Sequence, residues 1–347
     1  MKEITDRPPT IREVAKLARV GLMTVSRVIN NHPSVRPSTL KKVNAAIAAL
    51  GYQKNEAARL LKGQRATLIG LIVPDLSDIF FAACAQTVQQ IARAHGYMTL
   101  VVASERDPDL EIQQAELMAS RKVSGLLVVT STKDADERLQ KLQKTGLAIV
   151  AFDRPLSGVQ TDAVVVENRS GAEEAVRHLM KHGHRRIACI GYDEDAYAVR
   201  ERIEGYSNCI NAAGLKPMLA LGLNTLEGTR QWLKKALKEN DPPTAIFSLN
   251  HRMSTFLLQV LPEAGVAVPQ DMALIGFDDF DLATIVSPPL TTVAQSPVAL
   301  AKRAMALLID RIKDQSKGTE FVPAKIVLPV ALKIRASCGC TPGSTIY

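Results

Sequence analysis

From Leu68 onward the chain alternates short apolar runs with amphipathic stretches, and this alternation restricts its fold more than any other feature. Strands are predicted at Leu68–Val73, Met98–Ala103, Gly125–Val129, Ala148–Phe152, Ile187–Ile190, Ala245–Ser248 and Ala273–Phe277. Helical patterns such as Phe80–Ala94, Leu110–Arg121 and Ala172–His182 lie between the earlier ones. Strands alternating with helices call for parallel sheets covered on both faces. Two such halves are visible, dividing after about Pro155.

The segment ahead of this body has a different pattern. Thr10-Ile11-Arg12-Glu13 is a capping box, with a hydroxyl to open a helix and a Glu three residues on to close it. Apolar positions at Ile11, Val14, Ala15, Leu17 and Ala18 mark one face of that helix. A second amphipathic run covers Met23–Ile29, with Val25, Val28 and Ile29 inward and Thr24, Ser26, Arg27 and Asn30 outward. A third helix starts near Pro37 and stops at Gly51. Three short helices with a tight turn between the first two describe a helix-turn-helix, whose second helix enters the major groove.

Charge supports that reading once it is located. The 347 residues carry a net charge of +8, with 43 Lys and Arg against 35 Asp and Glu. Residues 1–62 hold twelve of the basic and four of the acidic residues, so the rest of the chain is neutral. A basic module on a neutral body is the electrostatic footprint of a nucleic-acid binder. A basic solubilising tail is excluded, because the segment is patterned for helices.

Composition bounds the rest. A 46 % apolar share and a 22 % charged share suit a globular protein with a sizeable core, and the length suits two or three units. Apolar stretches such as Gly125–Val129 and Leu147–Phe152 are too short to span a bilayer. The polar Met1–Arg12 start does not read as a signal peptide. Five scattered cysteines make no disulfide framework, so a reducing cytoplasmic location is expected.

Thr10–Asn30, with Thr24–Asn30 reading T-V-S-R-V-I-N, resembles the headpiece of the LacI/GalR family of bacterial transcriptional regulators. The resemblance continues through Val35, Gly51-Tyr52 and Asn55–Gly63 into the body. It implies an N-terminal all-α helix-turn-helix headpiece (1–54), a hinge helix and linker (55–64), and a two-lobed α/β body (65–337) of the periplasmic-binding-protein type I kind with parallel sheets. Three crossings between lobes are implied, giving lobe 1 about 65–155 and 291–320 and lobe 2 about 156–290 and 321–337. Residues 338–347, including Cys338-Gly339-Cys340, are expected to be an exposed tail.

Carried over by position, base reading falls on Leu22 and Met23 with Arg27 behind them. Arg27 can fork onto guanine, whereas Leu22 and Met23 offer apolar contact, as to a thymine methyl. Packing of Leu22 and Met23 against the third helix is the alternative, disfavoured because Val25, Val28 and Ile29 already supply the core face. Thr10, Thr24, Ser26 and Asn30 match phosphate-contacting or helix-positioning places. Arg19 stands where the family often has Gly, and Gly21 where it has a Ser cap. In the hinge, Leu61 matches a Leu wedged into the minor groove, with Ala58 and Lys62 beside it. Lys54 replaces the Pro that often precedes Asn55.

In open α/β sheets ligands sit outside the carboxyl ends of the strands. Asp75, Ser77, Asp78, Asp153, Arg154, Asn250 and Asp278 occupy such ends. Arg202 in R-I-E-G and Asp278 in I-G-F-D-D match the family's effector-binding Arg and Asp. Asn250 and Asp153 match further pocket positions, and Phe80 a side chain that packs on the ligand. Asp and Asn can grip paired sugar hydroxyls, and Arg202 a hydroxyl, ring oxygen or anion. For Asp153 and Arg154 a salt-bridged strand end is an equally open reading. His251 stands where the family often has Asp, and Asp78-Ile79-Phe80 where Asn-Pro-Phe is common. The one Trp, Trp232, is expected to be packed in its helix.

The expected function is therefore a sequence-specific regulator, a repressor by preference, reading a palindromic double-stranded operator as a homodimer. A sugar or related metabolite between the lobes would control it, as inducer or co-repressor. No catalysis, cofactor or metal is expected. His178, His182 and His184 are read as structural at a helix C-terminus, and Cys338 and Cys340 lack a second Cys pair. An enzyme is disfavoured for want of a phosphate loop, nucleophile elbow or zincin motif. A secreted solute-binding protein and a nucleoid architectural protein are disfavoured by the basic headpiece and the cleft body respectively.

Overall fold

The computed structural model describes residues 9–29, 32–52, 66–130, 133–156, 160–192, 196–315 and 321–340. Two compact units divide at Ala66/Thr67. Asn30 and the expected hinge, with Ala58, Leu61 and Lys62, lie outside the described residues.

The first unit holds α1 (Ile11–Ala18), α2 (Leu22–Ile29) and α3 (Pro37–Leu50). The capping box forms reciprocally: Glu13 N–H donates to Thr10 Oγ1, and Thr10 N–H donates to Glu13 Oε2 at 2.6 Å. Arg19 ends α1 in the left-handed conformation at φ 53°, where glycine would be cheaper. Val14, Ala15, Ala18, Val25, Val28, Val43 and Ala46 form the core, with Ile11, Ile29 and Ile47 packed against it. Leu17 departs from the expected inner face and is 52 % exposed. One residue turns a helix by about 100°, which carries Leu17 off the stripe that Ala18 and Val14 define.

The second unit is built on two six-stranded sheets. In the first sheet, β1 (Leu68–Val73), β2 (Met98–Ala103), β3 (Gly125–Val128), β4 (Ala148–Phe152), β5 (Asp162–Val166) and β11 (Lys325–Leu328) run in the order β11-β5-β4-β3-β1-β2, all parallel. On one face α4 (Ile79–Ala94) and α12 (Pro297–Gln315) pack Phe81, Val88, Leu300 and Leu308 against Leu71, Leu127 and Val150. On the other, α5 (Pro108–Ser120) and α6 (Lys133–Lys144) bring Ile112, Met118 and Leu139 to Ile72, Leu126 and Ile149. Burial on both faces explains why β1, β3 and β4 are almost uninterrupted apolar runs.

The second sheet comprises β6 (Ile187–Ile190), β7 (Met218–Ala220), β8 (Ala245–Ser248), β9 (Ala273–Phe277), β10 (Thr291–Ala294) and β12 (Ala331–Lys333), ordered β12-β10-β9-β8-β6-β7. Only β12 is antiparallel to its neighbour. It is flanked by α7 (Asn168–Lys181) and α8 (Tyr197–Ala212) on one face and by α9 (Leu226–Ala236) and α10 (His251–Glu263) on the other. A short α11 (Asp281–Ile285) follows β9. Trp232 packs against this second core, as its helical position implied.

The chain passes between sheets at places that differ from the expected lobe boundaries. The strand β5 pairs with β4 in the first sheet, so the first passage follows Val166 rather than Pro155. The strand β10 pairs with β9, so the return follows Ala294. The third passage lies between Leu328 and Ala331, not near Glu320–Val322. None of β5, β10, β11 and β12 is among the strands predicted from the sequence, and these four set the passages. A part-buried ion pair fixes the return: Asp162 at the start of β5 accepts from Arg311 Nε at 2.6 Å and from Ala324 N–H at 2.8 Å. The C-terminal segment also departs from an exposed tail. Cys338 is fully buried and Cys340 nearly so, and Ser337 Oγ donates to Leu274 C=O at 2.6 Å.

Candidate effector cleft and DNA-reading helix

A cavity of about 290 Å³ opens at the carboxyl ends of the strands of both sheets. Phe80, Asp153, Arg202, Asn250 and Asp278, all singled out in the sequence, line it together with Asp78 and Arg154. Asp75 and Ser77 do not: Asp75 accepts from the Ser77 N–H and hydroxyl at 2.9 and 2.7 Å in a local turn.

Arg202 anchors the second-lobe wall. It is 3 % exposed on α8, an apolar setting that tolerates a guanidinium only when it is well partnered. Its Nε donates to Asn168 Oδ1 at 2.8 Å, its Nη1 to the Leu249 carbonyl at 2.6 Å, and its Nη2 lies 3.6 Å from Asp278 Oδ1. The guanidinium also stacks 3.6 Å above the Phe277 ring. These partners come from α7, β9 and the loop after β8, so the orientation of Arg202 depends on the fold of the whole lobe.

Two carboxylates at equivalent places in the two sheets share an unusual backbone. Asp153 follows β4 at φ 64° and Asp278 follows β9 at φ 73°, both left-handed. Asp tolerates this conformation better than most residues, and at strand ends it turns the carboxylate over the cleft. Their protonation differs. Burial raises Asp153 to about 6, with Arg202 opposing and Asp278 and Asp78 reinforcing the shift. Burial acts on Asp278 in the same sense but is outweighed by Arg202, His251 and Gln295, which hold it below the usual range.

His251 ties these groups together. Its Nε2 stands 3.7 Å from Asp78 Oδ1 in the first lobe, and its Nδ1 stands 3.8 Å from Asp278 Oδ2 in the second. Burial disfavours its charge, but the two carboxylates prevail and raise its pKa. Asp78 also caps α4, accepting from Phe80 N–H at 2.9 Å, and burial raises its pKa. A second link across the mouth joins Arg106 Nη2 to the Tyr192 hydroxyl at 3.3 Å.

Two buried polar atoms at the cavity have no hydrogen-bond partner among the described residues. Asn250 Oδ1 caps α10 by accepting from Met253 N–H at 2.8 Å, which leaves Nδ2 without one. Gln295 Nε2 donates to Asp278 Oδ1 at 2.6 Å, and its Oε1 is left likewise. Such groups cost about 1–3 kcal/mol each unless something arrives to pair them. Gln295, Arg106 and Tyr192 were not anticipated. Gln295 follows a strand assigned to a crossing, so its place at a strand end was hidden.

In the first unit, Leu22 and Met23 open α2 and are 46 % and 68 % exposed, so they do not pack into the headpiece core. Arg27 is exposed one turn later, and Thr24 and Ser26 are half-buried beside it. Thr10 is spent on the α1 cap, its hydroxyl 2.9 Å from Glu13 Oε2, but remains exposed.

A reading helix on a basic unit and a polar cleft in a two-sheet body define an effector-responsive DNA-binding regulator. Residues 10–55 match the family model of bacterial regulatory proteins of the lacI family. Residues 66–335 match that of periplasmic binding proteins and the sugar binding domain of the LacI family. The chain belongs to the LacI family of bacterial transcriptional regulators. It is 33 % identical over 336 residues to the HTH-type transcriptional regulator DegA of Bacillus subtilis, covering 94 % of this chain and 97 % of DegA. It is 31 % identical over 332 residues to catabolite control protein A of Priestia megaterium, covering 94 % and 98 %. Among solved structures, the transcriptional regulator CelR–cellobiose complex is 30 % identical with a TM-score of 0.69, covering 95 % of this chain and 99 % of that one. These relatives are named as regulators, not enzymes. No described helix is long and apolar enough to cross a membrane.

Proposed function

We propose that the protein is a cytoplasmic repressor that binds a palindromic operator as a homodimer, with a sugar or related polyhydroxylated metabolite in the cleft setting its operator affinity. The observation that carries the effector reading is the pair of orphaned polar atoms, Asn250 Nδ2 and Gln295 Oε1, beside three carboxylates and the fixed Arg202 guanidinium. Carboxylates and an amide accept and donate in the pattern that adjacent hydroxyls require. The cavity volume lies at the lower end of ligand pockets, which suits one small ring rather than a polymer. A thermal-shift panel of monosaccharides, sugar acids and nucleosides tests it. A rise in the unfolding midpoint with nucleosides alone would overturn the sugar class.

Ionisation of Asp153 gives the pocket a pH response. A hydroxyl that donates to this carboxylate prefers its ionised form, so effector affinity rises as pH increases through about 6 and then levels. Arg202, Asp278 and Asp78 act on the same charge, with His251 between the latter two, and shape the curve. Titrations across that range should show the inflexion, and Asp153→Asn should flatten it.

On the DNA side, residues 1–54 form the reading module and 55–64 the hinge, with Leu61 as the minor-groove wedge and Ala58 and Lys62 beside it. Thr10, Thr24, Ser26 and Asn30 fix the helix on the phosphates, and Leu22, Met23 and Arg27 reach the base edges. Arg27→Ala should cost roughly 1–3 kcal/mol of operator binding and relax preference at one base pair of each half-site. Gel shifts against a library of half-site variants measure both. A uniform loss across all sequences would reassign Arg27 to the backbone.

A further inference from the structure

The two sequence features set aside separately, the histidines at the end of α7 and the final cysteine pair, meet in the folded chain. His178 and His182 lie one turn apart on and just past α7, with ring centroids 4.8 Å from one another. Cys340 Sγ stands 3.1 Å from His182 Nε2 and 3.5 Å from His178 Nε2. Cys338 Sγ stands 3.3 Å from His178 Nε2 and donates to the Arg335 carbonyl at 3.4 Å. The ligating atoms of His178, His182 and Cys340 all fall within 4.8 Å of one another. His184 is not part of the group, since its Nδ1 lies 3.1 Å from Thr244 Oγ1.

We propose that His178, His182, Cys338 and Cys340 form a zinc site that staples the C-terminal segment to the second lobe. The donor set is the first argument, because two thiolates and two imidazoles make the S₂N₂ set that selects zinc. Geometry is the second. Zinc–sulfur and zinc–nitrogen bonds at a tetrahedral angle place S and N about 3.5 Å apart, near the three S···N separations of 3.3, 3.5 and 3.1 Å measured here. Convergence is the third. Cys340 lies within reach of both imidazoles, so one ion can meet all three, with Cys338 beside His178 as the fourth ligand.

Four protein ligands leave no open position, so the site is structural rather than catalytic. Its burial fits this role: Cys338 is fully buried, Cys340 and His178 are each 6 % exposed, and only the His182 side reaches solvent. Thr291 Oγ1 donates to Cys338 Sγ at 3.2 Å, a supporting hydrogen bond from β10 of the kind that orients a metal ligand. Zinc would thereby join α7, β10 and the chain end, three pieces far apart in sequence. Binding to the folded form alone stabilises it by mass action.

The test uses the untagged full-length chain, purified without added metal. Elemental analysis should find roughly one zinc per chain, as a closed four-ligand site requires. Removal by a strong chelator should lower the unfolding midpoint and expose two thiols to a thiol reagent, and zinc should reverse both. Replacement by cobalt should give thiolate-to-cobalt charge-transfer bands and the ligand-field absorption of a tetrahedral S₂N₂ site, a readout that needs no variant. His182→Gln, at the partly exposed edge, should weaken zinc retention while the chain still folds and binds operator. A metal-free chain with no cobalt spectrum and thiols insensitive to zinc would overturn the proposal. So would a Cys338–Cys340 disulfide in the freshly isolated protein, or zinc content unchanged by both His182→Gln and Cys340→Ser.

Discussion

A chain beginning at Gln64 should fold, bind effector and show no operator affinity at all. The headpiece core of Val14, Val25, Val28 and Val43 shares no residue with the body's four apolar clusters, so the body loses none of its own packing. The whole net charge of +8 is carried by residues 1–62, and a neutral remainder has no field to attract a phosphate backbone. For the intact protein the same charge predicts a steep salt response. Several phosphate contacts per dimer imply a loss on the order of 10³-fold or more between 50 and 200 mM salt. Fluorescence anisotropy with labelled operator measures both, and specific binding by the shortened chain would refute the division of labour.

Arg202→Ala and Asp278→Ala should shift the effector response to much higher concentration while sparing operator recognition. The two side chains are 4 % and 11 % exposed and face one another at 3.6 Å, so neither is replaced by water when removed. Loss of a hydrogen bond to a charged ligand partner costs about 1.5–3 kcal/mol, roughly 10- to 150-fold in Kd. Each change also removes one partner of a buried ion pair, a cost of up to about 3–5 kcal/mol to the fold. The isosteric Asp278→Asn and the adjacent Gln295→Ala are therefore the informative controls, since both leave the lobe better filled. If the effector is an inducer, these variants stay on the operator at effector concentrations that release the wild type. If it is a co-repressor, they bind weakly at concentrations that saturate the wild type. Gel-shift titrations separate the two signs, and a response at the wild-type concentration in all four variants would move the pocket elsewhere.

Different parts of this protein were legible to different degrees. Thr10 and Glu13 announced α1, Gly51 ended α3, and the exposure of Leu22 and Met23 followed from Val25 and Val28 having filled the inner face. Those are local effects, set by residues within a turn of one another. Strand ends were equally readable, because a polar residue just after a buried apolar run has few places to go but the sheet margin. Asp153, Asn250 and Asp278 were found that way, and all three line the cleft.

The lobe boundaries were not readable, because β5 and β10 are short strands, β10 half threonine, that were not announced as strands, and periodicity names no sheet partner. With β10 misassigned, Gln295 vanished as a candidate although it holds Asp278 at 2.6 Å. His251 was visible as an oddity, but its position between Asp78 and Asp278, one from each lobe, exists only once the lobes are closed around it. The cysteines show the limit most plainly. Cys338 and Cys340 lie about 160 residues from His178 and His182 in the chain, and no spacing rule links them. By itself the sequence determined the reading helix, the strand–helix body and the residues at the strand ends, since short-range sterics and periodicity govern these. Only the tertiary structure decided which strands share a sheet, which side chain spans the cleft and which histidines and cysteines meet, because periodicity encodes no partner and several of these contacts close loops of a hundred residues or more.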